Sequence, residues 1–555
     1  MEMNEQKLDK VLKNVQKPAR YTGGEYKQVI KNKHDVKVRV AFCFPDTYEI
    51  GMSNLGLRIL YGVLNSINDV WCERVFTPWI DMETEMRNNG IPLYGLESYD
   101  TLCDFDILAF SLGYELSYTN VLTMLDLACI PLRASERGET GPIVIAGGSC
   151  CYNPEPMADF FDLFVVGDGE EVIIELIDAY KSSEGKTAFL KAASLLRGVY
   201  VPSLYDNDSP PVIKRVVKDL DNVYFPLDTI IPATGIVHDR AVLELFRGCK
   251  RKCKFCLAGH TGDPVRSRSP KVLTKQGITA ISNSGYDELA LLSLSTSDYV
   301  YLGELFDNLI EWCEPRKVNL SLPSLRADNF SIELMERVQK VRKSGLTFAP
   351  EAGSQRLRDY INKNITEEDL LGACRVAFQG GWNSIKLYFM LGLPTETDAD
   401  VAAIADISYE VLQTWKKSAK IKNRGLHISI STSCFVPKPH TPFQREAQIS
   451  ISEYKRRVEL LRNSIRSKSI TYNWHSPEQS SIEAALSRGD RQIGYVIETA
   501  WRLGSRLDSW SEHFSFNKWT TAFDKCSIDI EYYTTRKRTD DDVLPWSFVK
   551  IRELA

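Results

Sequence analysis

The sequence predicts an α/β protein: a doubly wound, Rossmann-like domain, then a parallel partial (β/α)6 barrel, then an α-rich C-terminal extension. Two observations carry this prediction. Short β-branched runs alternate with segments of helical periodicity along most of the chain, and a stretch rich in Pro and Asp divides them into two series. With 555 residues, the chain also exceeds what one hydrophobic core usually organises.

The alternation divides the chain into five segments. Residues 1–35 form a polar N-terminal extension, 36–202 the doubly wound domain, and 203–238 a linker with little periodicity. Residues 239–450 form the barrel, and 451–555 the C-terminal extension. The last segment begins with a basic helix and is rich in aromatic residues.

Composition predicts a reduced cytoplasmic protein. The net charge of −5 gives no general attraction to polyanions, the N-terminus lacks an apolar signal region, and no stretch approaches the roughly 20 apolar residues that cross a bilayer. The 13 cysteines are an odd number and are not spaced as a disulfide framework. Eight stand singly in apolar or helical surroundings and are interpreted as plain structure: Cys43, Cys72, Cys103, Cys129, Cys313, Cys374, Cys434 and Cys526.

Loops at the carboxyl ends of strands in the first domain are candidate ligand contacts. Open parallel sheets bind ligands at this edge, and glycine there permits close approach of the backbone. The runs DFDILAFS, PIVIAGG and FDLFVVGDG place these residues there: Ser111, Gly147, Gly148, Gly167 and Gly169. The alternative is that the glycines only shape turns.

Six βα-like units form the predicted barrel, and their functional loops should share one rim. The strand segments are AVLELF, DELALLSLS, VNLSLPSLR, GLTFAPEAG, SIKLYFMLGLP and LHISISTSCFVP. The first of them runs directly into ELFRGCKRKCKFC, where Cys249, Cys253 and Cys256 lie four and three residues apart.

Three thiolates in one short loop can converge on a metal centre, and soft thiolate ligands select zinc or iron–sulfur clusters. Zinc would take a fourth ligand, for which His260 stands at a plausible spacing, and such a site would be structural. The position of the loop at the functional rim of the predicted barrel instead favours a catalytic [4Fe–4S] cluster. Three protein ligands would leave one iron of that cluster open to a substrate.

The CxxxCxΦC spacing, with the aromatic Phe255 at Φ, resembles the signature of the radical S-adenosylmethionine (SAM) superfamily. The resemblance implies that the open iron binds SAM, which is cleaved reductively to methionine and a 5′-deoxyadenosyl radical that activates a substrate C–H bond. The loop is basic, and its charge is expected to stabilise the reduced cluster and to dock an acidic electron donor such as flavodoxin or ferredoxin. Its cations are Arg247, Lys250, Arg251, Lys252 and Lys254.

The resemblance also assigns a SAM contact to Phe255, and later segments resemble positions that this superfamily uses around SAM. SLSTSDY stands where many members have GGE, so Ser293, Ser295 or Thr296 would serve instead. APEAGSQRLRDYINKN resembles the ESGS stretch of cobalamin-linked members, which assigns SAM contacts to Glu351 and Ser354; the alternative is a helix N-cap. In KLYFMLGLPTET, Gly392 would shape a turn beside adenine.

A doubly wound domain before this barrel resembles the cobalamin-binding class of radical SAM proteins. FPDTYEIGMSNLGLRILY, FVPKPHTPFQ, SRGDR and LPW narrow the likeness to an uncharacterised bacterial family of that class. The resemblance implies cobalamin in the first domain. The DxHxxG motif that supplies a cobalt ligand is absent, however, and no histidine occurs between His34 and His238. Cobalamin would therefore bind without a histidine from this domain, or the domain is a relic.

The leading hypothesis is a radical SAM enzyme of unknown substrate in which cobalamin transfers a methyl group or guides the radical. Modification of RNA or a ribosomal protein is a second hypothesis, motivated by the basic stretches Lys416–Arg424 and Tyr454–Lys468. The latter stretch is better explained as a solvated helix face. The third hypothesis is a non-catalytic iron–sulfur or zinc protein.

Overall fold

The computed structural model describes residues 5–206, 208–321, 346–420 and 425–552. Two compact units divide the chain. The first contains the residues up to Asp239, Ala485–Ile530 and the residues from Val543, and the second contains Arg240–Ala484 and Glu531–Asp542. Within the described ranges, no helix is both long and apolar enough to cross a membrane.

A six-stranded sheet forms the centre of the first unit. Its order is β2-β1-β3-β4-β5-β6, and every neighbouring pair is parallel except β5 and β6. The strands are β1 (Val38–Phe44), β2 (Val70–Phe76), β3 (Ile107–Ser111), β4 (Ile143–Gly147), β5 (Leu163–Val165) and β6 (Val199–Tyr200). The strands are almost wholly buried, as expected when helices cover both faces of a parallel sheet.

Helices follow the strands, which confirms the predicted doubly wound fold. They are α1 (Glu5–Leu12), α2 (Tyr48–Gly51), α3 (Leu55–Asn65), α4 (Ile80–Asn89), α5 (Tyr118–Leu127), α6 (Val172–Lys181) and α7 (Lys186–Ala193). The strand order reverses between β1 and β3, so the crevice at the ends of these two strands is the topological switch point of the sheet.

The segments assigned to an N-terminal extension and a linker pack on this unit. Glu25 and Glu97 both pair with Arg74, and all three side chains are buried, so the N-terminal segment contributes to the core. In the 203–238 segment, a short strand, β7 (Val212–Ile213), pairs with a strand from the end of the chain, Val549–Lys550.

Parallel strands and helices also build the second unit. The strands β8 (Ala241–Glu244), β11 (Glu288–Leu292) and β12 (Asn319–Ser321) form one sheet, and β13 (Leu346–Glu351), β14 (Ser384–Leu391), β15 (His427–Cys434) and β16 (Ile470–Trp474) form another. An antiparallel pair, β9 (Phe246–Arg247) and β10 (Arg266–Ser267), flanks the loop after β8. All six predicted barrel strands occur; the continuation of VNLSLPSLR beyond Ser321 lies outside the described residues.

The helices of the second unit are α8 (Leu257–Thr261), α9 (Pro270–Ser284), α10 (Leu302–Cys313), α11 (Gln355–Tyr360), α12 (Glu367–Gln379), α13 (Asp398–Ser418), α14 (Ile451–Ser464) and most of α15 (Pro477–Ser487), whose residues from Ala485 belong to the first unit. Capping boxes at Thr366 and Thr397 start α12 and α13. A hydrophobic core of this unit lies between α12, α13, α14 and the β13–β16 sheet.

The C-terminal extension is α-rich, as predicted, but its residues divide between the two units. It contributes β16 to a sheet of the second unit, whereas Ala485–Ile530 belongs to the first. The remaining elements are α16 (Ile493–Arg502), α17 (Phe516–Lys525), α18 (Ile530–Tyr533) and β17 (Val549–Lys550). In the first unit, α16 packs on α5 and α17. The sequence pattern missed this division because the partners lie hundreds of residues away.

Candidate active site

The three motif cysteines lie in the loop that connects β9 to α8. Cys253 is buried, and Cys249 and Cys256 are half-buried. Cys256 is the N-cap of α8, where its sulfur accepts a hydrogen bond from the amide of Gly259 at 3.4 Å. Burial raises the pKa of the Cys256 thiol, and the nearby Cys249 adds to the rise. The thiols are therefore close enough to influence one another, and metal binding would have to displace their protons.

Asn362 holds the backbone of this loop. Its side-chain amide donates to the carbonyl oxygens of Arg251 and Lys252, at 2.9 and 3.0 Å. The amide of Lys254 donates to the carbonyl of Ile361 at 3.0 Å. The residues after α11 thus support the backbone on both sides of Cys253.

Phe255, the aromatic residue of the motif, is partly buried and packs against an apolar cluster of the second unit. The cluster consists of Ala352, Leu357, Ile361, Leu393, Phe435 and Phe443. This packing anchors the loop, and the contact of Phe255 with SAM remains a prediction.

Most of the basic residues of the loop are engaged in contacts within the second unit. Arg247 pairs with Glu244 at 2.8 Å, Arg251 with Asp298, and Lys252 with Asp263. Lys254 lies over the ring of Tyr360, 4.7 Å from its centroid. Lys250 is exposed. The positive charge available to a reduced cluster or an electron donor is thus smaller than the sequence suggests.

His260, the candidate fourth zinc ligand, is buried and directed at the backbone of the loop. Its Nε2 lies 3.1 Å from the carbonyl oxygen of Cys253. Across the described part of the chain, no three His, Cys, Asp or Glu side chains gather at a point that could hold one metal ion. The ligands of a [4Fe–4S] cluster bind different irons and need not meet at one point, so the donor set of three cysteines fits that cluster.

The hydroxyl-rich loop after β11 is tied to the cysteine loop by the pairing of Asp298 with Arg251. Ser293 and Thr296 are buried, with their hydroxyl oxygens 3.1 Å apart. Ser295 is 2% exposed, and its hydroxyl has no hydrogen-bond partner among the described residues. A buried hydroxyl without a partner is costly, so this loop has the polar capacity for a ligand group.

Glu351 lies at the end of β13, beside a register shift, with a positive φ of 70°. Non-glycine residues rarely adopt this conformation, which is enriched at ligand-binding sites. Lys363 pairs with Glu351 at 3.0 Å. Glu351 is thus not the helix cap.

Ser354, by contrast, is the N-cap of α11, because its hydroxyl oxygen accepts from the amide of Leu357 at 3.3 Å. Its hydroxyl also donates to Asp400. The alternative of an N-cap therefore holds for Ser354, and its SAM contact stays a prediction.

Gly392 occupies a turn that only glycine fits. Its φ is 90°, and a Cβ there would lie 2.7 Å from a side-chain carbon of Ile449. Its amide donates to buried Glu396 at 2.6 Å, and Glu396 also pairs with Arg457. The close approach that requires glycine here is thus to the side chain of Ile449. Sequence reasoning missed Glu396 and Asn362. Glu396 accepts from the nearby amide of Gly392 and Asn362 donates to carbonyls about 110 residues away, and neither contact leaves a motif.

Backbone packing also accounts for two of the candidate glycines in the first unit. Gly148 and Gly167 have φ values of 112° and 110°, and a Cβ on them would lie 2.5 Å from the Leu112 carbonyl oxygen and 2.1 Å from that of Arg215. Both positions therefore require glycine for the backbone itself, and contact of these two glycines with a ligand stays a prediction.

The remaining candidates of the first unit have more room. Ser111 pairs with Gly147 in the sheet register, beside the switch point. A Cβ on Gly147 would meet nothing closer than 4.0 Å, and one on Gly169 would lie 3.4 Å from Leu60. Ligand binding by these residues stays a prediction.

Two protein families match the chain. Residues 56–202 match the family described as radical SAM proteins, N-terminal, and residues 243–407 match the radical SAM superfamily. The chain is a radical SAM protein. The superfamily match begins just before the cysteine loop and extends into α13, so it contains the loop, Glu351, Ser354 and Gly392.

This radical SAM protein has relatives along most of its length. An uncharacterised protein of Methanocaldococcus jannaschii is 28% identical over 83% of this chain and 90% of its own. Among solved structures, the radical SAM methyltransferase TsrM from Kitasatospora setae, with cobalamin and a [4Fe–4S] cluster bound, matches at a TM-score of 0.51 and 13% identity over 74% of this chain and 77% of its own. The cobalamin-dependent SAM radical enzyme OxsB, with aqua-cobalamin bound, also matches at 0.51, with 14% identity over 94% of this chain and 76% of its own. At these identities the structural likeness concerns the fold.

Proposed function

We propose that this protein holds a [4Fe–4S] cluster through Cys249, Cys253 and Cys256 and cleaves SAM reductively to activate a C–H bond of its substrate. The cysteine loop carries the proposal: three thiols follow the first strand of a parallel α/β unit that matches the radical SAM superfamily. The Nε2 atom of His260, the candidate zinc ligand, lies against the carbonyl oxygen of Cys253. When bound, the cluster would supply the electron that breaks a carbon–sulfur bond of SAM.

The residues around the loop would bind and orient SAM. The unpartnered hydroxyl of Ser295, together with Ser293 and Thr296, suits the amino group of its methionine moiety. The Glu351 carboxylate, held by Lys363, suits ribose hydroxyls at a strand end. The thiols must remain reduced, so the reaction belongs in the cytoplasm with a small acidic electron-transfer protein as reductant.

The first unit is proposed to bind cobalamin at the switch-point edge of its sheet, near Ser111 and Gly147. The shared fold of TsrM and OxsB, both with cobalamin bound, supports this proposal. No histidine between His34 and His238 is present to ligate cobalt, so binding would rely on backbone and hydroxyl contacts. Methyl transfer, the activity in the description of TsrM, is the reaction proposed here.

RNA modification receives no support from α14. Its cations pair with carboxylates of the second unit: Lys455 with Glu478, Arg456 with Asp398, Arg457 with Glu396, and Arg462 with Glu459. Paired cations neutralise few phosphates. In the other basic stretch, Lys416 and Lys417 end α13, and residues 421–424 lie outside the described part of the chain.

Reductive cleavage of SAM tests the proposal. The protein is purified without oxygen, reconstituted with iron and sulfide, and supplied with a strong reductant and SAM, and 5′-deoxyadenosine is measured. We expect Cys253→Ala to lower its formation at least 100-fold, because a cluster without one of its three ligands is lost. The visible spectrum of the same sample reports bound cobalamin.

Cys374→Ala is the matched control, since Cys374 is a buried cysteine in the core of the same unit. It should keep the iron and the activity. Circular dichroism should show that Cys253→Ala stays folded. Unfolding of that variant together with bound zinc in the parent protein would contradict the proposal and favour a structural metal site.

A further inference from the structure

Two exposed cysteines outside the cluster motif lie side by side in the first unit. Cys103 precedes β3, and Cys129 follows α5, and both are exposed. The thiol of Cys103 donates to the carbonyl oxygen of Ala128 at 3.1 Å. Because that carbonyl belongs to the peptide bond preceding Cys129, the sulfur lies within roughly 6 Å of the Cα of Cys129.

Backbone hydrogen bonds hold the two segments together. The amide of Leu93 donates to Leu127, and the carbonyl of Leu93 accepts from Leu102, at 3.0 and 3.2 Å. Leu102, which precedes Cys103, and Leu127, two residues before Cys129, are therefore both hydrogen-bonded to Leu93. Backbone hydrogen bonds, and not side-chain rotamers alone, therefore keep the two cysteines near each other.

Cys129 also occupies an unusual backbone position. It lies just beyond the C-cap of α5 with a φ of 57°, where its amide and that of Ile130 close the helix by bonding Asp126 and Leu125. Glycine or asparagine normally takes this left-handed position, since a β-carbon is disfavoured there. A cysteine at this position is not required by the turn, and its thiol is exposed.

We propose that Cys103 and Cys129 form a reversible disulfide, so that the first unit responds to the thiol–disulfide balance. The oxidant is a low-molecular-weight disulfide. One protein thiolate attacks it, forming a mixed disulfide and releasing one small thiol. The second protein thiol then loses its proton and displaces the other small thiol. The protein gives up two electrons and two protons, and the reagent becomes two thiols.

Oxidation should stabilise the unit, because the new bond closes a loop that contains β3 and α5. Cys103 is exposed as a residue, but partial burial of its thiol, and after it the neighbouring Cys129, raises the thiol pKa, so the pair should oxidise faster as the pH rises. The cluster cysteines lie in the other unit, so the two kinds of oxidation are distinguished by peptide mapping.

Peptide mapping after exposure to glutathione disulfide tests this proposal. The cluster-loaded protein is equilibrated without oxygen, quenched in acid, alkylated and digested. The expected product is a peptide pair joined through Cys103 and Cys129, together with an unfolding temperature about 5 °C higher that dithiothreitol reverses. Glutathione attached to the two cysteines separately, or no reaction at both, would overturn the proposal.

Cys129→Asn is the matched variant, because asparagine tolerates the left-handed position. It should be as stable as the reduced parent and show no shift with the oxidant. Cys526 serves as the internal control. It is half-buried, its thiol is hydrogen-bonded to the hydroxyl of Thr499, and it should form no cross-link. An oxidant-dependent shift that persists in Cys129→Asn would also refute the pair.

Discussion

The loops that follow the strands are held in different ways in the two units. In the second unit, side chains brace the cysteine loop: Asn362 bonds two of its carbonyls, and Arg251 pairs with Asp298. In the first unit, backbones approach each other directly, Gly148 against Leu112 and Gly167 against Arg215. The arrangement in the second unit depends on particular side chains. The arrangement in the first unit requires glycine, which has no side chain, at the points of close approach.

This difference decides what each set of residues says about ligands. Cys256 caps α8 through its sulfur, a role that Ser, Thr, Asp or Asn normally fills, so a cysteine at this position points to chemistry. A glycine at positive φ against a carbonyl is required whether or not a ligand is present. The glycines of the first unit are therefore weaker indicators of cobalamin than the cysteines are of a cluster.

The largest effect expected from the comparison is that of Gly167→Ala. A β-carbon there would lie 2.1 Å from the Arg215 carbonyl oxygen in a disfavoured conformation, so the backbone must shift. We expect the free energy of unfolding of the first unit to fall by about 3 kcal/mol or more. Chemical denaturation followed by circular dichroism measures it.

Gly147→Ala is its control, since the nearest atom is 4.0 Å away and the backbone is not left-handed. It should cost less than about 1 kcal/mol. A loss of cobalamin binding in this stable variant would assign Gly147 to the ligand. Equal destabilisation by both variants would show that the backbone account is wrong.

A buried carboxyl in the first unit predicts a pH effect of intermediate size. Asp508 is fully buried, accepts hydrogen bonds from Thr119 at 2.7 Å and Trp519 at 3.2 Å, and so attaches Ala485–Ile530 to α5. Burial raises its pKa to about 6. The folded state therefore holds this proton more tightly than the unfolded chain. As the pH rises from about 4 to 6, the free energy of unfolding should fall by roughly 2 to 3 kcal/mol.

Asp508→Asn removes the titrating group and keeps the shape. Denaturation midpoints measured from pH 4 to 7 should lose this part of their slope in the variant. A Thr119→Val change, which removes one donor, should raise the pKa of Asp508 further and extend the pH-dependent range to higher pH. An unchanged profile in Asp508→Asn would assign the pH dependence to other groups.

Local patterns sufficed for the alternating elements and the cysteine loop. β-branched runs, helical periodicity and the spacing of Cys249, Cys253 and Cys256 all lie within short windows of sequence. The confirmed fold class follows from them. The role of Phe255 as a packing anchor is also consistent with its place in the motif, although the burial itself needed the structure.

Contacts between distant residues could not be predicted. Asn362 lies 111 residues from the carbonyl of Arg251, and Asp508 lies 389 residues from Thr119. An asparagine or an aspartate carries no sign of such a partner, so the support of the cysteine loop and the division of the C-terminal extension were missed. Similarly, β16 has only five residues and follows a basic helix, which made it unrecognisable as a strand.

The smallest effect is expected at the support of the cysteine loop. Asn362 has a φ of 57°, so Asn362→Gly keeps the backbone conformation and removes the two bonds to Arg251 and Lys252, together with the bond that Asn362 accepts from Asn364. Looser positioning of the thiols should speed the loss of iron to a chelator by about tenfold, with little change in unfolding temperature. Asn364→Gly is the matched control, because Asn364 also has a positive φ and donates to Asn362 without a hydrogen bond to the cysteine loop. Its iron loss should stay within about twofold of the parent. Equal rates in the two variants would mean that the backbone around the cysteines, rather than Asn362, holds the loop.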